Sequence, residues 1–342
     1  MELPSDGTAA ASAGPFVSVV LTFHNNLEFV DTALEQMGRL TFENYELFII
    51  DDGSTDGTDE ALVASVDPDA KVHLVRHGEN KGIASVRNDA VMRAKGEFIW
   101  FVDCDDEWEP RILERLVAAA RQTGADLVVC GANARRGHRV RPLERPQGRP
   151  LVDGVQAKSM VLREELRGYL WNKLIRRRVL LANPFPIMKS MSDFAGLTAY
   201  IQSVNRVAFV PEALYTHVYR ASSITNRKER DYGDFERCWH LGRQMARTLS
   251  RTEQTRREVL AFDYWAYYLN VVNTSRRLGA SSAEAKAREE EIRKLMKWRD
   301  LPLLALIRPK VALRASAFII AGRSYGRLHG FVTSLRRLRH GG

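Results

Sequence analysis

Two periods of hydrophobic and polar positions alternate along the first 130 residues. Phe16–Thr22, Leu47–Ile50, Lys71–Val75, Phe98–Val102 and Asp126–Cys130 read as strands. Phe98–Val102, short, aromatic and continuous, reads as buried on both faces, since a strand with one wet face would alternate. Between them, Leu27–Leu40, Asp59–Val66, Gly82–Lys95 and Pro110–Thr123 read as helices; in the first, Val30, Leu34 and Met37 share one face. Strands alternating with helices of this length predict an α/β fold on a mostly parallel sheet covered by helices. Such sheets bind ligands beyond the carboxyl ends of their strands. Here those ends carry Asn25, Asp51, Asp52 and Asp103–Asp106, which one crevice would collect.

The stretch FIWFVDCDDEW, Phe98–Trp108, runs an apolar strand directly into carboxylates. Residues two apart on an extended chain point the same way, roughly 6–7 Å from each other. Asp103 and Asp105 can therefore face one volume, where their mutual repulsion calls for a cation; a hard divalent ion there could hold a diphosphate. The plain alternative is an acidic loop capping the next helix, a task Asp106 or Glu107 could do alone. The glycines at 53, 57 and 82 form neither a dinucleotide fingerprint nor a P-loop, which disfavours hydride transfer.

Four ordered motifs resemble family 2 glycosyltransferases, enzymes of the GT-A fold. They are Thr22-Phe23-His24-Asn25, Asp51-Asp52-Gly53-Ser54-Thr55-Asp56, Asn80-x-Gly82-x4-Arg87-Asn88 and Asp103-x-Asp105-Asp106. Thr22 and His24 stand where that family has Pro and Tyr. The resemblance implies a nucleotide-sugar site at Thr22, His24, Asn25, Asp51, Asp52, Gly82, Arg87 and Asp103. Asp51 or Asp52 would hold the base with Arg87 in support, and Asp103 would approach the ribose or the metal. Asp105 would ligate Mg2+ or Mn2+ on the sugar diphosphate, with Asp103 and His217 as further candidate ligands.

Beyond residue 130, Arg135–Pro150 breaks the pattern with Pro, Gly and Arg and reads as a mobile basic connector. Tyr169–Leu174 resembles the family segment ahead of the acceptor side. Met191-Ser192-Asp193-Phe194 follows where the family commonly has Glu-Asp; Ser192 replaces one acid and Asp193 keeps the other. Val207–Tyr215 reads as a strand, a Pro-Glu turn and a second short strand. It leads into His217–Thr225, which resembles the family's closing arginine and Ser-Ile-Thr motif, with Arg220 placed to meet phosphate. These motifs divide the chain into a lead-in (1–15), a GT-A domain (16–230; nucleotide half 16–130, acceptor half 151–230) and a basic helical region (231–342).

Charge sharpens that division. Residues 1–125 hold 10 Lys/Arg against 23 Asp/Glu, whereas residues 126–342 hold 41 against 19. The first half thus offers no basic patch for nucleic acid. Residues 235–342 read as helices, and no acidic residue follows Asp300. Val259–Val272 would set Phe262, Trp265, Leu269 and Val272 on one face. Leu301–Ile307, Val311–Leu313 and Ala315–Ala321 are apolar stretches punctuated by Arg308, Lys310 and Arg314. That suits either an interfacial helix on anionic lipid or a helical bundle with a solvated basic face. Three scattered cysteines, no spanning-length apolar run and a small-residue N-terminus without a signal-peptide pattern predict a cytoplasmic protein, peripheral on a membrane face.

The chemistry expected is inverting transfer of a sugar from a nucleotide diphosphate, with a UDP-sugar as donor and a glycan or lipid-linked hydroxyl as acceptor, in cell-surface glycan or glycopolymer synthesis. Asp193 is the expected general base. Nucleotidyl transfer on the same core, or a non-catalytic membrane- or polyanion-binding role for the basic tail, are the alternatives.

Overall fold

A computed structural model describes residues 14–66, 71–146, 150–220, 232–277 and 283–321. Among the described residues ten strands form one sheet: β1 (Val17–Phe23), β2 (Tyr45–Asp51), β3 (Val72–Arg76), β4 (Phe98–Asp103), β5 (Glu107–Trp108), β6 (Leu127–Arg136), β7 (Arg139–Glu144), β8 (Leu151–Asp153), β9 (Lys173–Arg176) and β10 (Arg206–Val218). Their order is β3-β2-β1-β4-β9-β6-β10-β5, with β7 beside β6 and β8 beside β10. β3, β2, β1 and β4 are mutually parallel, as are β6 and β10; β9 runs antiparallel between the two groups.

The continuous apolar runs divide by parity between two cores, as a buried parallel strand requires. Val20, Phe48, Ile50, Ile99 and Phe101 enter one cluster; Val19, Leu21, Leu47, Ile49, Trp100 and Val102 enter the other. Trp100 is fully buried and satisfies its indole N–H on the Trp171 carbonyl at 2.8 Å. Helices α1 (Val30–Gly38), α2 (Thr58–Ser65), α3 (Ile83–Arg93) and α4 (Ile112–Thr123) fill the intervals where helical spacing predicts them. Next in the chain come α5 (Gly154–Leu162), α6 (Arg177–Ala182) and α7 (Ser192–Tyr200).

Three expectations need correction. The Arg135–Pro150 stretch is not a plain loop over its described residues: β6 continues to Arg136, turns at Gly137 and returns as β7. Pro211-Glu212 is not a turn between two strands. β10 runs through it with register shifts, and a bulge carries the residues that a regular ladder could not seat. That bulge presses its carbonyls to within 2.9 Å of where a Cβ on Gly131 would sit, so only glycine fits opposite it.

The third correction concerns the C-terminal helices α8 (Tyr232–Ala246), α9 (Glu253–Phe262), α10 (Leu269–Arg277), α11 (Ala283–Leu295), α12 (Leu301–Ile307) and α13 (Pro309–Ala321). A π-helical turn, Asp263–Tyr268, separates α9 from α10 and resets the apolar stripe. Phe262 and Ala266 therefore face one core of the sheet, while Leu269 and Val272 join a separate cluster with Tyr264, Leu304, Val311, Ala315 and Phe318. Much of the apolar surface of α12 and α13 is thus packed inward. Among the described residues no helix is long and apolar enough to cross a membrane. Ala221–Thr225 and the basic tract after Ala321 lie outside the described residues.

Candidate active site

The carboxyl ends of β1, β2, β4 and β10 assemble the site. At the first, His24–Asn26 is knitted onto the 51–58 loop. Asn25, at φ +54°, takes the Thr55 amide on its Oδ1 at 2.8 Å, and the Asn26 amide donates to the Thr58 hydroxyl at 3.0 Å. His24 bridges two loops: Nδ1 lies 2.8 Å from the Asp52 carbonyl, and Nε2 lies 2.8 Å from the Asn80 amide nitrogen. With those partners Nδ1–H donates to the carbonyl and Nε2 accepts from the Asn80 amide. Thr22 pairs between Ile50 and Asp103 one residue before the strand ends.

Asp51 and Asp52 are both buried, and each braces a loop. Asp51 accepts from the Ser54 amide at 3.0 Å and from its hydroxyl. Asp52 accepts from the amides of Lys81 at 2.9 Å and Gly82 at 3.0 Å, and holds His77 Nδ1 at 3.0 Å. Gly82 caps α3 at φ +83°, a conformation that glycine takes without strain. Arg87 does not reach Asp51 or Asp52. It is buried on α3, its guanidinium 5.8 Å from the rings of both Phe101 and Phe185, and its Nη1 meets Asp193 Oδ1 at 2.5 Å. Its neighbour Asn88 clamps the Phe185 backbone through both amide atoms, at 2.9 and 2.8 Å. The Arg87-Asn88 pair therefore ties α3 to the segment that carries Asp193.

The three aspartates after β4 play different parts. Asp106 is buried and structural: it accepts from the Val218 amide at 2.7 Å and holds His217 Nδ1 at 3.1 Å, joining the β4 loop to the end of β10. Asp105 is held by Arg220, whose Nη1 reaches its carbonyl and, at 3.2 Å, its Oδ2. The Arg220 guanidinium also lies 4.4 Å over the Phe29 ring. Burial, then the charge of Asp106, push the Asp105 carboxyl above the usual range, with Arg220 and His217 opposing. Asp103 is pushed up to about 7 by burial and by Asp106, against the pull of Arg87; Asp193 and Asp105 raise it further. Burial alone would lower His217, yet the hydrogen bond and charge of Asp106 leave it raised.

Asp103, Asp105 and His217 do not close into a metal cage: among the described residues no three His, Cys, Asp or Glu side chains gather as a ligand set. His217 spends Nδ1 on Asp106 and stacks on Trp171, 5.9 Å between centroids. Asp103 and Asp105 nevertheless fit a magnesium- or manganese-type site. Such ions take one or two carboxylates and complete their shell with substrate phosphates and water. Burial first, and the crowding of Asp106 next, disfavour the ionised form of both carboxyls, a cost that a bound cation would offset.

Asp193 sits in the first turn of α7, entered through Met191 at φ +59°. Oδ1 is tied to Arg87; Oδ2 has no hydrogen-bond partner among the described residues. The Ser190 amide and hydroxyl donate to Asp234 of α8 at 2.7 and 3.0 Å, so the C-terminal helices hold the loop before Asp193. Asp234 has a structural role at the site that the sequence pattern did not single out; Asp106 and Asn88 stood in the motifs, without the partners the fold gives them. Lys173 was missed as well. It is fully buried, donates to Asn172 Oδ1 at 2.8 Å, and has its pKa lowered by burial while Glu144 and, more weakly, Asp193 oppose that shift. A lysine inside the apolar Tyr169–Leu174 run was the available signal.

The family model described as Glycosyl transferase family 2 matches residues 18–181. EpsH of Bacillus subtilis (strain 168) is 29% identical over 226 residues, which cover 63% of this chain and 64% of that protein's length. The crystal structure of S. aureus TarS 1-349 in complex with UDP-GlcNAc superposes with a TM-score of 0.67 at 18% identity, covering 95% of this chain and 92% of that one. The mannosyltransferase PcManGT from Pyrobaculum calidifontis, in complex with GDP-Man and Mn2+, gives a TM-score of 0.51 at 16% identity over 90% and 87% of the two chains. The fold is accordingly GT-A, a curled α/β sheet with helices C-terminal to it. Residues 18–181 of the chain therefore belong to glycosyl transferase family 2.

Proposed function

We propose that this protein is a metal-dependent, inverting glycosyltransferase that moves a sugar from a nucleotide diphosphate to a hydroxyl of a growing glycan. The observation that carries the reading is the meeting of two kinds of group beyond β4. Asp103 closes β4 and Asp105 follows two residues on, held by Arg220, while the charges of the ion-paired Arg87 and Asp193 are felt at Asp103. The UDP-GlcNAc and GDP-Man bound by TarS and PcManGT support a nucleotide-sugar donor, and a UDP-sugar is the first to test. The base seats against the loops that His24, Asn25, Asp51, Asp52 and Gly82 frame, the two aspartates acting by bracing those loops.

Mg2+ or Mn2+ held by Asp105, with Asp103 beside it, would neutralise the leaving diphosphate. Arg220 adds a fixed cation at the same mouth. Asp193 takes the acceptor proton on Oδ2 as the acceptor oxygen bonds to the anomeric carbon and the carbon–diphosphate bond breaks. With no protein nucleophile interposed, one displacement inverts the centre. The ion pair on Oδ1 orients the carboxylate and leaves Oδ2 to accept the proton.

Melting curves with UDP-sugars in the presence of Mn2+ test this directly. The expected result is donor-dependent stabilisation that Asp105→Asn removes and Asp193→Asn keeps, with transfer by Asp193→Asn falling about 10²–10⁴-fold. Unchanged turnover in Asp193→Asn would sink the assignment, and nucleotide appearing on the acceptor would favour nucleotidyl transfer.

Attachment to a membrane face is part of the same proposal. Leu306, Leu313 and Ile320 are 72, 72 and 71% exposed, and Lys310 and Arg314 are exposed among them. Apolar and cationic side chains so mixed suit an anionic lipid interface. Replacing these three apolar residues by Glu should abolish co-sedimentation with phosphatidylglycerol vesicles without lowering the Tm; retention of full binding would exclude this face.

A further inference from the structure

The β6–β7 hairpin has a sidedness that charge alone does not reveal. β6 pairs with β10 in parallel, placing Ala134 beside His217; β7 pairs with β6 in antiparallel, placing Arg141 beside Ala134 and Arg139 beside Arg136. Registered neighbours share a sheet face, and so do residues two apart. Arg136, Arg139 and Arg141 therefore lie on the face that bears His217, and all three are exposed. Arg135 and Val140 take the other face, where Arg135 pairs with Glu107.

Arg136 and Arg139 are directly opposed across the strands, so this face concentrates cationic side chains. The hairpin is held in shape: Arg145 donates to the Ala132 carbonyl and to Asn133 Oδ1, both at 2.6 Å, and Arg167 donates to the Leu143 carbonyl at 3.2 Å. The arginine face is continuous with the candidate active site. Tyr219, bonded through its amide to the Arg135 carbonyl at 2.8 Å, is 41% exposed and meets the His217 ring edge to face at 4.8 Å. His217 in turn holds Asp106, next to Asp105. From strand spacing and rise, the Arg136 backbone is on the order of 8 Å from that of His217.

We propose that this face is the acceptor track and that the acceptor is an anionic glycan, a sugar chain bearing carboxylates or phosphates at intervals. The guanidinium groups take the anions with forked hydrogen bonds, and the exposed Tyr219 ring offers a flat apolar surface to a sugar. The inference rests on the glycosyltransferase reading for the word acceptor, but the binding it predicts is measurable without turnover.

The test is fluorescence anisotropy with end-labelled carboxymethyl dextran, neutral dextran and oligo(dT), using the full chain at low salt. The carboxylated glycan should bind, weaken steeply as salt screens the contacts, and outcompete oligo(dT); neutral dextran should not bind. R136Q/R139Q/R141Q should weaken binding at least tenfold. A charge-matched control, R247Q/R251Q/R256Q on exposed C-terminal positions, should change it less than twofold. R136K/R139K/R141K, which keeps the charge, should fall between the two; an unchanged Tm in all three variants excludes misfolding. Equal losses in the hairpin and control variants would overturn the proposal, as would a hairpin variant within twofold of the parent or tighter binding to oligo(dT). Failure of UDP-sugars and Mn2+ to stabilise the protein, with glycan binding intact, would instead defeat the enzymatic reading and leave this surface standing.

Discussion

Asp103 shows how one side chain's surroundings set its chemistry. It closes β4 beside Thr22, and burial with the neighbouring aspartates lifts its carboxyl from 3.8 to about 7. The folded protein therefore holds a proton that the unfolded chain has already released between those values. By linkage, stability falls as pH rises through that window. The cost is absent below about pH 3.8, grows toward about 7 and is complete above it. Urea unfolding of the metal-free protein should show this decline, and Asp103→Asn should flatten it and raise stability at pH 8. A variant as pH-dependent as the parent would show that another group controls the slope. At this scale much of the candidate site was legible: a continuous apolar strand running into Asp-x-Asp places both acids at the carboxyl end of the sheet. Arg87 was legible as a site residue but not by its partner, because helical spacing gives the face a side chain leaves from and not what it meets.

The elements carry the next level of positioning. The segment bearing Asp193 has little regular structure before α7, and its order comes from outside. Asn88 of α3 fixes Phe185, Arg87 fixes Asp193, and Asp234 of α8 fixes Ser190. Removing Asp234 frees two donors and loosens the approach to α7. Asp234→Ala should lower transfer by about tenfold or more, the penalty for misplacing a catalytic group, with donor-induced stabilisation kept. Donor binding lost in parallel would place Asp234 in a general structural role. The hairpin teaches the complementary lesson. Pro, Gly and Arg in Arg135–Pro150 read as a connector, yet pairing to β10 through β6 supplies a template that local propensity could not foresee.

At the scale of the molecule, the helical region is part of the same core. Met245, Ala246, Leu249, Phe262 and Ala266 pack with Leu197, Tyr200 and Phe185 in one cluster. The protein shortened to residues 1–231 would expose that surface and lose the Asp234 anchor. It should aggregate or lack a cooperative melting transition, whereas a soluble, cooperatively melting fragment would show an independent domain. The motif boundary near residue 230 marks a change of element type, from sheet to helices, and gives no sign that the layers share apolar surface.

Periodicity alone gave β1 to β4, the start of β6, their covering helices, a mostly parallel sheet and the carboxylates gathered at its carboxyl end, because burial and placement after a strand are local properties of the chain. Which carboxylate is braced, which is paired and which keeps an open oxygen depends on contacts between residues far apart in sequence: Arg87 with Asp193, Asp106 with His217, Asp105 with Arg220. Those pairings follow from sheet order and helix packing, and a single linear pattern carries no record of them.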